Sequence, residues 1–127
     1  MSESQHQIAL FEWAAVAVCF HPELRLMYAN ANGGHRNIVT ATRMKAEGVK
    51  PGVPDICLPV ARGPFHSLYI ELKVPKEPGS TKRAGRLSMA QQEWGRMLLN
   101  EGNAWEVCFG WEDARQVIEN YLLIGKQ

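Results

Sequence analysis

Asp55, Glu71 and Lys73 are the residues of this chain whose types and spacing best support chemistry. In the run from Ser67 to Val74, Leu68, Ile70, Leu72 and Val74 alternate with Tyr69, Glu71 and Lys73, the period-2 pattern of a β-strand. An acid and a base therefore share one face, roughly 6–7 Å apart. The preceding run, Asp55 to Val60, sets Ile56, Leu58 and Val60 on one face and Asp55 on the other. Arg62-Gly63-Pro64 turns the chain between the two runs. A hairpin centred on Gly63, with no bulge, puts Asp55 directly across from Glu71 and Cys57 across from Tyr69. The apolar faces match in the same register, and opposed Cβ atoms would lie about 4.5–5.5 Å apart.

Two opposed carboxylates repel, and a hard divalent cation offsets that repulsion. Mg²⁺ takes carboxylate oxygens at roughly 2.0–2.1 Å and keeps several waters. Such an ion lowers the pKa of bound water and acts as a Lewis acid on a phosphate. Lys73, beside it, would orient or help deprotonate the attacking water and stabilise developing charge. An isolated E-x-K is commonly a surface ion pair; Asp55, placed opposite after Gly52-Val53-Pro54, is what favours the catalytic reading.

Two further polar residues stand out. Glu12 lies within or beside the apolar stripe Ile8, Phe11, Ala15 and Val18 of a first helix. It either reaches the metal centre, directly or through water, or turns outward at the stripe's edge. Gln91 lines up with Leu87, Trp94 and Leu98 on a later helix. It could hold the nucleophilic water or a phosphate oxygen. Equally, Ser88-Met89-Ala90-Gln91 fits the S-x-x-Q capping box.

The elements that must position these residues follow from periodicity and breakers. A helix is expected from about Ser4 to Cys19, ended by His21-Pro22. A short strand at Leu26 to Ala29 and a turn at Asn30 to Gly34 come next, then a helix from about Asn37 to Glu47 with Gly48 past its end. The two strand runs follow, then a polar Pro/Gly/Lys-rich loop from Pro75 to Arg86. A helix from about Ser88 to Asn100, a strand at Trp105 to Phe109 and a helix from about Trp111 to Leu123 complete the order αβαββαβα. The fold class is α/β, with a mixed β-sheet flanked by helices.

The 127 residues fit one domain, 1–127, able to bury a core without disulfide or zinc staples. Cys19, Cys57 and Cys108 form no CxxC pair, and His6, His21, His35 and His66 show no short paired spacing, which argues against structural zinc. The cysteines read as small apolar residues in a reducing compartment, so an intracellular, cytoplasmic location is expected. No apolar run reaches the roughly 18 residues of a membrane span, and no signal peptide is evident. Net charge is only +1, but cations cluster in two segments. One holds Arg36, Arg43, Lys45 and Lys50; the other holds Lys76, Lys82, Arg83 and Arg86. These are either solvated loops or a one-sided phosphate-binding surface. Gly79-Ser80-Thr81-Lys82 has phosphate-loop letters in the wrong order and setting. Trp13, Trp94, Trp105 and Trp111 read as core residues.

The blocks KAEGVKPGVPDICLPV, YIELKVPK and GRLSMAQQEWGRMLLNEGNAWEVC, in this order, resemble the VRR-NUC family of PD-(D/E)xK nucleases from about Glu12 to Trp111. The resemblance implies a restriction-endonuclease-like core and a Mg²⁺- or Mn²⁺-dependent phosphodiesterase. It maps the family's proline-aspartate to Pro54-Asp55 and its E-x-K to Glu71 and Lys73. The helix-borne acid maps to Glu12 and the glutamine to Gln91. Metal would be held by Asp55, Glu71 and Glu12. DNA phosphates would be held by Arg43, Lys45, Lys50, Lys76, Lys82, Arg83 and Arg86. The chain is similar to free-standing members, often encoded by phages and bacteria and akin to Holliday-junction resolvases. That implies a homodimer acting on branched DNA, with a role in DNA repair. The contrary expectation is a non-catalytic nucleic-acid-binding module that kept the fold; a protein-interaction scaffold that binds no metal is a third.

Overall fold

The computed structural model describes residues 1–31 and 38–125. Helix α1 spans Glu3–Ala17 and is followed by a 3-10 helical turn, Pro22–Leu26. Strand β1 is Tyr28–Ala29, helix α2 is Ile38–Ala46, and strands β2 and β3 are Ile56–Leu58 and Leu68–Lys73. Helix α3 (Met89–Asn100), strand β4 (Ala104–Phe109) and helix α4 (Trp111–Leu122) complete the chain. The order αβαββαβα is the expected one, and the 3-10 turn is an addition. Pro22 stands at the start of that turn, where its fixed φ suits a helical entry. It shortens the strand expected at Leu26 to Ala29 to two residues.

The sheet runs β1-β2-β3-β4. The first two pairings are antiparallel and β3–β4 is parallel. Antiparallel strands can be joined by a tight turn, but the parallel step needs a crossover, which α3 supplies. In the β2–β3 hairpin Ile56 faces Ile70, Cys57 faces Tyr69 and Leu58 faces Leu68. This is the unbulged register centred on Gly63.

One face of the sheet carries Leu68, Ile70 and Leu72, which cluster with Leu10 of α1 and with Ala114 and Ile118 of α4. Leu10, Ile70, Leu72, Ala114 and Ile118 are completely buried. Fully burying a side chain of leucine or isoleucine size stabilises by about 1.5–3 kcal/mol, so this seam holds α1 and α4 to the sheet. On the other face α3 approaches β4 so closely that a Cβ on Gly95 would lie 2.3 Å from the Trp105 ring. Gly95 is thus what lets α3 sit flat over Trp105, itself paired with Tyr69.

The buried stripe of α1 is His6, Leu10, Ala14 and Ala17. It is rotated from the expected Ile8, Phe11, Ala15 and Val18 because a buried histidine, not an aliphatic residue, begins it. His6 Nδ1 accepts the backbone N–H of Trp111 (3.1 Å), tying the start of α1 to the start of α4. Helix α2 has no buried residue, and Ile38 and Val39 are exposed. The expected turn at Asn30 to Gly34 and the start of the helix near Asn37 fall largely outside the described residues, as do His35 and Arg36.

Candidate active site

The hairpin register, continued one residue beyond the Ile56–Ile70 pair, brings Asp55 to Glu71. The backbone of Asp55 is held from the sheet's edge, its carbonyl accepting the N–H of Asn30 (2.7 Å). Its side chain is held from the partner strand, Asp55 Oδ2 accepting the N–H of Leu72 (2.8 Å). From this position the Asp55 carboxyl acts directly on that of Glu71.

Glu71 is completely buried. Burial first, then the adjacent Asp55 carboxyl, push its pKa up to about 9, against the opposing pull of Lys73. An ionised carboxylate loses its hydration on burial, so the neutral acid is favoured unless a cation replaces the proton. Glu71 Oε1 accepts the side-chain amide of Gln91 (3.0 Å), while Oε2 has no hydrogen-bond partner among the described residues.

Gln91 performs its structural and its site-directed role at once. Its Oε1 accepts the Ser88 N–H (2.8 Å) and its own N–H donates to Ser88 Oγ (3.1 Å), closing the capping box of α3. Its Nε2 is the group that reaches Glu71. Cap geometry thus fixes the amide that faces the acid. Gly52 makes this closeness possible: its φ is +87°, and a Cβ there would lie 2.7 Å from the Ala90 backbone. The connector carrying Asp55 can therefore pass directly against the first turn of α3.

Lys73 is buried to 8% exposure, on the same strand face as Glu71. Its carbonyl accepts the Gly110 N–H (2.9 Å), and Gly85 of the returning loop packs against its side chain.

Glu12 is not brought to this cluster. It is exposed and lines a shallow hollow with Met1, Gln5 and Ile8. It lies about 200° around the helix from both Leu10 and Ala14, the residues that face the sheet. The acid of α1 that does reach the site is Glu3. Its pKa is raised by burial and by the charge of Asp55 and lowered by Lys73, and its charge raises that of Glu71. The sequence carries a signal for Glu3: Ser2-x-x-Gln5 is a capping box that starts the helix there, with both hydrogen bonds formed. An acid in a first helical turn is also favoured by the helix dipole.

Of the cations, Lys45 and Lys50 line an open cleft that ends on Asp55 and Gln91. Arg43 pairs with Glu47 at 3.8 Å on the exposed side of α2. Lys76, Lys82, Arg83 and Arg86 are exposed on the loop between Lys73 and α3.

The donor set fits a divalent cation. A buried, unpartnered carboxylate oxygen beside a second carboxylate is what such an ion would satisfy. Among the described residues no three His, Cys, Asp or Glu side chains converge as a complete cage. Mg²⁺ needs only one or two carboxylates and keeps its waters.

Comparison with known proteins agrees with this geometry. A solved structure described as a VRR_NUC domain protein superposes with a TM-score of 0.75 at 24% identity, over 99% of this chain and 92% of that one. It has the same fold. Nothing among curated proteins matches the chain. The VRR-NUC domain model matches residues 2–111, most of the chain, with the hairpin, the Gln91 helix and the Glu3 turn all inside the match. With the opposed acids and the adjoining lysine in place, the chain belongs to the VRR-NUC domain family of nucleases.

Proposed function

We propose that this protein is a Mg²⁺- or Mn²⁺-dependent endonuclease that selects branched DNA, such as a Holliday junction, and works as a homodimer. The observation that carries the catalytic part is the Asp55–Glu71 pair: two opposed acids, one of them completely buried with an oxygen that has no hydrogen-bond partner among the described residues. Asp55 and Glu71 would hold the metal, and Glu3, in place of Glu12, would add negative charge behind them. The metal supplies Lewis acidity toward the phosphate and a more acidic water.

The chain's own residues do the rest. Lys73 brings a cation to the strand face of Glu71, where it orients the attacking water and offsets charge growing on the phosphate. Gln91 holds Glu71 Oε1 in place, so that Oε2 is the oxygen left for the metal. The Leu72 N–H fixes one oxygen of Asp55. Lys45 and Lys50, with the cations of the loop 76–86, would engage DNA phosphates, so affinity falls steeply with salt. In a homodimer, two-fold symmetry places one site on each of two strands of a junction.

The test is cleavage of labelled duplex, single strand, flap and four-way junction with Mg²⁺, Mn²⁺ or EDTA, for the wild type, Asp55→Ala and Lys73→Ala. Metal-dependent cutting, strongest on the junction and lost in both variants, is expected. Intact cutting by Lys73→Ala would refute the mechanism. No cutting by folded protein with either metal would favour a binding module that retained the fold.

A further inference from the structure

The hydrolytic reading uses the charged and polar groups of the cleft beside Asp55 but not its apolar wall. The cleft encloses about 610 Å³ between α2 and the segment 49–53. Ala41, Met44, Val49 and Val53 make its wall, Lys45 and Lys50 contribute the cations, and Asp55 is the only acid among the described residues that line it. A second cleft of about 480 Å³ adjoins it, sharing Met44, Val49, Lys50 and Val53 and bounded by Trp94. Trp94 is half-buried, so it borders an open space and is not wholly absorbed by the core.

We propose that this cleft receives one unpaired nucleotide of the DNA, adjoining the phosphodiester that faces Asp55. The inference rests on the nuclease reading and gives its substrate class a physical basis. The volume falls in the range of small-molecule sites, about 300–1,000 Å³, ample for a base and its sugar. An apolar wall with lysines beside it complements a flat aromatic group carrying a phosphate. A base in a continuous duplex is stacked and paired, and freeing it costs energy that an already unpaired base does not pay. The site thus favours bulges, junction centres, flaps and single strands.

The cleft binds without reading sequence. Among the described residues, its polar side chains other than the lysines are engaged at the active site. Gln91 donates to Glu71 and accepts from Ser88, and Asp55 accepts from Leu72. The base is therefore held by packing against Ala41, Met44, Val49 and Val53, which tolerates any base. Trp94, in the adjoining cleft, is positioned to stack the next base along the strand.

The test is fluorescence anisotropy of the full chain in EDTA with three labelled DNAs. These are a continuous duplex, the same duplex with one unpaired nucleotide, and the bulged duplex with that nucleotide made abasic. The bulged duplex should bind about tenfold more tightly than the continuous one, the scale of burying one mid-sized apolar group. The abasic version should lose that gain. Ala41→Glu, at an exposed position of α2, should lose the preference while leaving the unfolding temperature unchanged. Equal binding of continuous and bulged duplex, or of base-containing and abasic bulges, overturns the proposal. Because binding is read without metal, the two readings fail separately. A preference for the unpaired base with no cutting in Mg²⁺ or Mn²⁺ would sink the nuclease reading alone. Cutting with no dependence on the base would sink this inference alone.

Discussion

Glu71→Gln offers a direct test of the electrostatics at the centre of the site. In the metal-free protein the Glu71 carboxyl keeps its proton until about pH 9, whereas the unfolded chain releases it near the ordinary value of 4.5. Between those values the folded state binds one proton more than the unfolded state. Raising the pH through that window therefore favours unfolding, and this contribution to stability is lost as pH rises. One proton is worth about 1.4 kcal/mol per pH unit. From pH 6 to pH 8 the ceiling is thus roughly 3 kcal/mol, and solvent relaxation around the coupled pair makes about 1–3 kcal/mol the expected range. For a domain of this size each kcal/mol moves the unfolding temperature by a few degrees. Thermal unfolding in EDTA should show the wild type losing stability over this range. Glu71→Gln, which preserves the volume and the bond from Gln91, should show a flatter dependence. The difference between the two proteins isolates Glu71 from every group they share. Saturating Mn²⁺ should reverse the wild-type slope, since a metal replaces the proton, and should stabilise Glu71→Gln less. Identical slopes for the two proteins in EDTA would refute the buried-acid argument.

Other perturbations probe the supports of the site. Gly52→Ala should cost about 1–3 kcal/mol and depress cleavage, because φ is +87° and the new Cβ meets the Ala90 backbone. Gly48→Ala, at φ +98° with nothing within 4 Å, should cost stability with little loss of activity in the same denaturation and cleavage assays. Glu3→Gln should slow cleavage while Glu12→Gln leaves it near wild type; the opposite ranking in initial rates would restore Glu12 to the site. Gln91→Ala removes the capping-box partner of Ser88, worth about 0.5–2 kcal/mol, and frees Glu71 Oε1. Urea denaturation should report the first loss, and a weakened Mn²⁺-dependent rise in unfolding temperature the second.

The hairpin was the most legible part of the chain. Its two runs alternate strictly, Gly63 marks the turn, and a slip by one residue would have turned Ile56, Leu58, Leu68 and Ile70 away from the core. That penalty makes register a local property of the sequence, and Asp55, Glu71 and Lys73 follow from it. Gln91 was legible as a helix-cap residue because S-x-x-Q is a short-range pattern. The aliphatic residues of α1 do not point to Glu3. The helix buries His6 in its stripe, which shifts the inward face and leaves Glu12 outside it. The 3-10 turn at Pro22–Leu26 is likewise hidden behind the strand-like letters of Leu26 to Ala29.

By itself, then, the sequence determined the order of elements, the β2–β3 register and the pairing of Asp55 with Glu71, since these depend on side chains a few residues apart. Only the tertiary structure decided which acid of α1 stands near that pair. It also decided that Gln91 caps α3 and holds Glu71 together, and that a cleft opens between α2 and the segment 49–53. Those outcomes depend on how helices distant in sequence rotate and pack against the sheet. That packing is set by close approaches such as Gly95 on Trp105 and Gly52 on Ala90, and a periodic pattern carries no record of them.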